Sequence, residues 1–386
     1  MDYIKYLFGG SNQKSNQKSN QKSNQKSNQK SKTNAPLCLN NIERKISKKE
    51  KKINPKTNVE SYKYTYKYIK NNKEIKEKNI IEKLNNIRIP PNYHDVKICL
   101  NNSKILGYGY DEDNRKQVIY NPEFRNKQQI KKHKHLIDFG VALPNITKTM
   151  NTDLNSSNRK LQLISLILHL IQICDFRIGN ETLTKKHEHY GVSTLNCKHI
   201  KFLPNNYIEI SFIGKKGVEN YCKFQHKNIY NILKNLLKEN CNMSKSSDFN
   251  SIFIYNDENN NKKKVSASDV NDYLKQFGNF TSKNFRTWNA NSYFIQNYLE
   301  SISNIENIEE NQDKKNEERY IRKHLNNSIE KVSLKLHNTK SVCKKEYLNS
   351  SLLNLIETNN KKFLRNVNPQ KSGTYNYLYL LKNNIV

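Results

Sequence analysis

The chain has 386 residues, with 67 Lys plus Arg against 35 Asp plus Glu, a formal net charge of +32 and only 35% hydrophobic residues. That length can bury a core and divide into two or three domains, and the charge calls for a polyanionic partner, either nucleic acid or an anionic membrane surface. Membrane-spanning and secreted classes are not expected: no run reaches the ~18 apolar residues that cross a bilayer, and MDYIKYLFGG leads directly into a polar repeat without a signal-peptide pattern.

Residues 11–30 are five tandem Ser-Asn-Gln-Lys copies, with no apolar atoms to offset the entropy of ordering, so a disordered basic tail is expected over residues 1–60. The first 80 residues hold 20 basic and 6 acidic side chains, a net of +14, which leaves +18 on the remaining 306. Tyr62, Tyr64, Tyr66 and Tyr68 alternate with polar residues and predict a strand, half-buried more readily than a base-stacking platform. A helix over Ile80–Ile87 stops at Pro90-Pro91. Val96–Leu100, Lys104–Tyr110 and Val118–Tyr120 are β-like pieces between Asn, Asp and Gly turns.

From Asp153 the pattern turns helical. Leu161, Ile164, Leu168 and Ile171 fall at 3.6-type spacing and lead into Asp175-Phe176-Arg177. The run from Leu161 to Cys174 is broken by Gln162, Ser165, His169 and Gln172, as in a buried helix. Ile200–Phe224 predicts strands around a tight Gly214-Lys215-Lys216-Gly217 turn. Helical patterns follow at Ile229–Leu237, Ala267–Phe277, Ser292–Leu299 and Ile321–Leu336. Asn240–Ser251 and the acidic Asn304–Arg319 are expected to be polar inserts. The seven cysteines are scattered without a C-x-x-C pair, so reduced thiols and no zinc site are expected. His187 and His189 lack the Cys or carboxylate partners of a metal site.

Four segments carry chemistry: Arg177-Ile178-Gly179-Asn180-Glu181, Phe212-Ile213-Gly214-Lys215-Lys216, Lys283-Asn284-Phe285-Arg286-Thr287-Trp288, and His337-Asn338-Thr339-Lys340-Ser341-Val342-Cys343-Lys344-Lys345-Glu346-Tyr347. Together with Ile89-Pro90-Pro91-Asn92-Tyr93, Arg115-Lys116-Gln117, Phe139-Gly140-Val141-Ala142-Leu143-Pro144 and Tyr190-Gly191-Val192-Ser193-Thr194-Leu195, they make the chain resemble type IB DNA topoisomerases. The small poxvirus, giant-virus and bacterial enzymes are the nearest in pattern, and the resemblance covers roughly residues 61 to 360.

The residue types suit that chemistry on their own. Cutting a DNA strand without an energy source needs a protein nucleophile that conserves the phosphodiester bond, and a Tyr hydroxyl can do so through a 3′-phosphotyrosyl link. A phenol with pKa near 10 pays about 4 kcal/mol to ionise at pH 7. Planar cationic donors must therefore stabilise the phosphorane, each worth ~10²–10³ in rate. A Lys on a hairpin turn reaching into the cleft can protonate the leaving 5′-oxygen.

The resemblance implies that Tyr347 attacks, Arg177 and Arg286 clamp the scissile phosphate, Lys215 protonates the 5′-oxygen, and Lys283 is a secondary phosphate or proton-relay contact. It also implies a phosphate hydrogen bond from Asn338, with His337 as the alternative; His337 stands where the family usually has Gly, and Lys340 where it has Pro. Arg115, Lys116, Gln117, Tyr120 and Lys216 are the implied duplex contacts. By default Arg177 would be a helix C-terminal dipole partner and Lys215 a solvated turn residue.

The expected fold class is α+β: a 1–60 tail, a small mixed α/β N-terminal clamp domain over 61–148, a mainly helical catalytic domain of the topoisomerase IB/tyrosine recombinase type over 149–365, and a 366–386 extension. The expected function is ATP-independent relaxation of supercoiled duplex DNA by a monomer, with no cofactor, metal, nucleotide or membrane partner. The implied location is intracellular with DNA, in a viral factory, virion or nucleus. A tyrosine recombinase shares the Arg–Lys–Arg–Tyr set but usually has His three residues before the second Arg, where this chain has Lys283. A non-catalytic DNA-binding protein would not need the intact Arg177, Lys215, Arg286 and Tyr347.

Overall fold

The computed structural model of the chain describes residues 41–53, 58, 60–99, 104–241, 251–303 and 314–386. The Ser-Asn-Gln-Lys repeat and most of the two polar inserts lie outside those residues. The architecture is α+β with antiparallel sheets, divided into one unit ending at Lys131 and a second from Lys132 to Val386.

The first unit is a six-stranded sheet, β1 (Asn41–Ile53), β2 (Glu60–Lys70), β3 (Lys73–Glu74), β4 (His94–Cys99), β5 (Ile105–Tyr110) and β6 (Lys116–Tyr120), in the order β3-β2-β1-β4-β5-β6. Helix α1 (Lys78–Asn85) lies between β3 and β4 in the chain. The tyrosine alternation behaves as a strand leaving a core: Tyr62 is exposed, Tyr64 and Tyr66 half-buried, and Tyr68 buried. Ile42, Tyr68, Leu84, Ile89, Val96 and Ile98 form a small hydrophobic cluster.

The tail expected over residues 1–60 is corrected here, because Asn41–Ile53 forms β1 inside the sheet. It pairs with β2 from Glu43↔Ile69 to Ile53↔Glu60 and with β4 from Asn41↔Cys99 to Arg44↔Val96. Ile42 is fully buried, and Arg44 donates to the carbonyls of Ile89 (2.8 Å) and Pro90 (2.9 Å). Ile46 and Ile53 are exposed, so most of this strand is held by its ladder with no apolar stripe for the sequence to display.

Helix α2 (Pro122–Asp153) crosses the division between the units and contains Pro144. Then come α3 (Arg159–Cys174) and α4 (Glu181–His187), the three-stranded meander β7 (Ile200–Leu203), β8 (Tyr207–Ile213) and β9 (Glu219–Gln225), and α5 (Lys227–Cys241). A hairpin of β10 (Ile254–Asn256) and β11 (Lys262–Lys264) precedes α6 (Ala267–Leu274) and α7 (Ser282–Ser303). The chain closes with α8 (Lys314–Lys335), α9 (Lys340–Glu346), α10 (Ser350–Thr358), α11 (Asn360–Arg365) and α12 (Gly373–Lys382).

Helix α7 is buried continuously from Phe285 to Ser292 and packs against α3, α8 and α12. Its Trp288 sits between the rings of Phe139 and Tyr377. The segment after residue 366 is therefore part of this core: Tyr377 is fully buried, with its hydroxyl 3.3 Å from His133 Nδ1. Residues 314–319, expected in the acidic linker, begin α8. Cys174 and Cys222 form a disulfide, with 5.6 Å between Cα atoms, against the expectation of reduced thiols; the end of α3 and strand β9 become neighbours only on folding. Among the described residues no helix is long and apolar enough to cross a membrane.

If β1 is integral, Ile42→Ala should lower the unfolding free energy by about 2–4 kcal/mol. Urea denaturation followed by circular dichroism measures this, and an unchanged midpoint would return residues 41–53 to the tail.

Candidate active site

Tyr347 follows α9 immediately and is 5% exposed. Two cations face its ring, the guanidinium carbon of Arg286 at 5.2 Å from the centroid and Lys283 Nζ at 5.9 Å, and the Arg177 charge also acts on the phenol. Burial alone pushes a phenol up, as it does for Tyr68, Tyr298 and Tyr377. At Tyr347 burial acts in the same sense, but the charges of Arg286, Arg177 and Lys283 outweigh it and leave the phenol below its ordinary value. Among the described residues none of these three cations forms an ion pair with a carboxylate. Arg286 is 2% exposed, and its Nε and Nη1 are buried without a hydrogen-bond partner. Unused buried donors of this kind are costly unless an anion completes them.

Arg177 is placed by a chain reversal, Arg286 and Lys283 by a helix. α3 ends where Asp175 adopts a left-handed conformation (φ 55°). Phe176 is then buried against Phe212, their centroids 4.8 Å apart, which turns Arg177 toward Tyr347. The Arg177 carbonyl accepts from Val192 N (2.9 Å), and Ile178 O from Ser193 N (2.7 Å). This closure needs glycine: a Cβ on Gly191 would come within 2.4 Å of Gly179, itself at φ +104°. Arg286 projects from the buried face of α7 and anchors through Nη2 to Leu336 O (2.9 Å).

The His337 or Asn338 alternative has a geometric reading. α8 ends in a Schellman motif: Asn338 N donates to Ser333 O (2.9 Å), and His337 N to Leu334 O (3.1 Å), with His337 at φ 53°. That left-handed position explains why the family favours Gly there. The His337 ring lies 5.2 Å from Phe176 and is pushed down to about 4 by burial and by the Arg286, Lys335 and Arg177 charges, so it is neutral at pH 7. Asn338 instead accepts from Arg177 through Oδ1, and its buried Nδ2 has no partner. Thr339 caps α9, placing Lys340 at its first position, where Pro is also favoured.

Lys215 is not in this cluster. It stands exposed in the turn between β8 and β9 and, among the described residues, makes no hydrogen bond or ion pair. The turn is tight: a Cβ on Gly214 would meet Asn220 Nδ2 at 2.3 Å, and Lys216 adopts φ 66°. In the first unit Arg115 bridges Asp111 and Asp113, Gln117 donates to Asp111 (2.8 Å), Lys116 lies over the Tyr108 ring, and Tyr120 is exposed against Phe124.

Several supporting residues carry no sequence signal. Asn289 donates to Asp175 Oδ1 (2.8 Å), while Asn291 donates to Tyr347 O (3.0 Å) and accepts from Asn349 N (2.8 Å). In a chain where about one residue in six is Asn, neither stands out. Asp175, fully buried, is pushed up to about 6 by desolvation.

A buried phenol of lowered pKa held among cations, with Arg286 donors unused, is an arrangement suited to an anionic ligand. The family model for the catalytic core of eukaryotic DNA topoisomerase I matches residues 121–372. The chain is 32% identical over 309 residues to DNA topoisomerase 1B of Acanthamoeba polyphaga mimivirus, covering 78% of this chain and 87% of that protein. It is 22% identical over 285 residues to DNA topoisomerase 1B of Vaccinia virus, covering 72% and 82%. It is also 25% identical over 205 residues to DNA topoisomerase 1 of Mycosarcoma maydis, covering 49% and 20%. The chain belongs to the type IB DNA topoisomerases, of the viral kind, and the recombinase and binding-protein alternatives are not favoured.

Asp175 makes stability depend on pH. Its folded value lies above the unfolded 3.8, at about 6, so its contribution is full below pH 4 and is lost as pH rises through 6. The loss is about 3 kcal/mol by pH 7. Asp175→Asn should therefore gain on the wild type in Tm between pH 4.5 and 7.5; a gap that does not change with pH would contradict this.

Proposed function

We propose that Tyr347 cleaves one strand of duplex DNA, relaxing supercoils through a 3′-phosphotyrosyl intermediate with no ATP or metal. The Tyr347 oxygen bonds to phosphorus as the bond to the 5′-oxygen breaks, Arg177 and Arg286 hold the non-bridging oxygens, and Asn338 Nδ2 adds a neutral donor. Lys215 swings in with bound DNA to protonate the leaving oxygen, and the same groups act in reverse at religation. Lys283 supports the phosphate. Arg115, Lys116, Gln117, Tyr120 and Lys216 contact the duplex, with Arg115 and Gln117 exchanging their part-buried Asp111 bonds for DNA. The observation that carries this reading is a buried phenol held below its ordinary pKa by Arg286 and Arg177 beside unused buried donors. The cation and nucleophile set comes from one chain, which supports action as a monomer wherever the DNA resides.

Wild-type protein should relax negatively supercoiled plasmid in EDTA without ATP, and Tyr347→Phe should abolish both relaxation and the covalent adduct. Arg177→Ala and Arg286→Ala should each slow cleavage by about 10²–10³. Arg286→Lys should recover little, because one ammonium cannot reproduce the planar fork. Wild-type rates in either alanine variant would exclude that guanidinium from the phosphate clamp.

A further inference from the structure

The last carbonyl of α9 belongs to Glu346, the residue before Tyr347, and it is one of the orphan acceptors that end any helix. Lys132, the first residue of the second unit, donates its Nζ to that carbonyl at 2.6 Å. On the other side, Asn291 holds the Tyr347 carbonyl and the Asn349 amide. Side chains thus pin the backbone both before and after the nucleophile, and of the two pins only Lys132 can ionise.

We propose that Lys132 is a positioning residue for strand cleavage, fixing Tyr347 through the Glu346 carbonyl with a charged donor whose grip weakens when it loses its proton. This rests on reading Tyr347 as the nucleophile. A charge-assisted hydrogen bond is roughly twice as strong as a neutral one, and small displacements of a reacting group cost up to ~10² in rate. The groups acting on Lys132 are Lys283 on α7, Glu346 on α9 and His133 on its own helix. Desolvation, then repulsion from Lys283, pushes the ammonium down to about 8, with the Glu346 carboxylate opposing. Among the described residues Lys132 has no ion pair. For this half-buried ammonium, desolvation and the neighbouring Lys283 outweigh the attraction of Glu346, so its charge is costly to keep. Nothing in Lys131-Lys132-His133-Lys134 singles it out in sequence.

The test is the second-order rate of adduct formation at subsaturating duplex DNA, which reports ionisations of the free enzyme. It uses full-length wild type, Lys132→Met and Lys132→Arg between pH 6.5 and 9.5, with Tm recorded for each. Lys132→Met should keep or raise Tm yet form the adduct about ten- to a hundredfold more slowly at pH 7. Its deficit against wild type should shrink as pH rises through 8 to 9. Lys132→Arg should recover part of the rate and keep a constant advantage over Lys132→Met across the range, because its guanidinium stays charged. Equal wild-type and Lys132→Met rates at pH 7 would overturn the proposal, as would a pH-independent deficit that follows a fall in Tm. Failure of the underlying reading looks different: an adduct that survives in Tyr347→Phe, or no adduct in wild type, removes both.

Discussion

The structure depends on the field that Arg286, Arg177 and Lys283 impose on one buried phenol. Ionising a tyrosine of pKa near 10 at pH 7 costs about 4 kcal/mol in water, and burial in an apolar core makes it worse. Tyr377, on α12, and Tyr298, on α7, show that default in this same unit. At Tyr347 two guanidinium groups and an ammonium reverse it. Arg286 also keeps Nε and Nη1 buried without a partner, so under the proposed reaction the charge that lowers the phenol would also receive the developing phosphorane. In that proposal one feature of the site serves attack and transition-state binding together.

Building that field requires several chain terminations to converge. Arg177 follows the left-handed end of α3, Asn338 follows the Schellman end of α8, and Tyr347 follows the end of α9. Helix ends leave unpaired backbone groups, and here these are closed by side chains that also hold the site: Arg286 on Leu336 O and Lys132 on Glu346 O. Placing reactive residues just beyond rigid helices gives them fixed positions without the flexibility of long loops. Lys215 is the exception, carried on an exposed turn. A general acid, the role proposed for it, is needed only once DNA is bound.

Much of this was legible in the sequence where periodicity and local chemistry agree. The Tyr62–Tyr68 alternation, the apolar stripe from Leu161 to Ile171 and the Gly214–Gly217 turn all became the elements they suggest. The four motifs single out Arg177, Lys215, Lys283, Arg286, Asn338 and Tyr347, of which the fold brings together all but Lys215. What escaped did so for physical reasons. β1 is lysine-rich and sits in the sheet through its ladder, with Ile42 as its one fully buried apolar side chain. α2 carries Pro144 and a largely charged surface, which hides a 32-residue helix. Lys132, Asn289 and Asn291 act through distant backbone groups, and no spacing rule encodes a partner more than fifty residues away. The Cys174–Cys222 pair is another contact that exists only in the folded chain.

The headline charge of +32 is thus a poor guide to mechanism, since three cations and one phenol carry the site. The most direct measurement is the ionisation of Tyr347 in the DNA-free protein, followed by NMR of 13Cζ-tyrosine and assigned by loss of its resonance in Tyr347→Phe. The account predicts titration below the ordinary tyrosine value, moving upward in Arg286→Ala. A Tyr347 phenol that titrates above 10, like the other buried tyrosines of its unit, would contradict it.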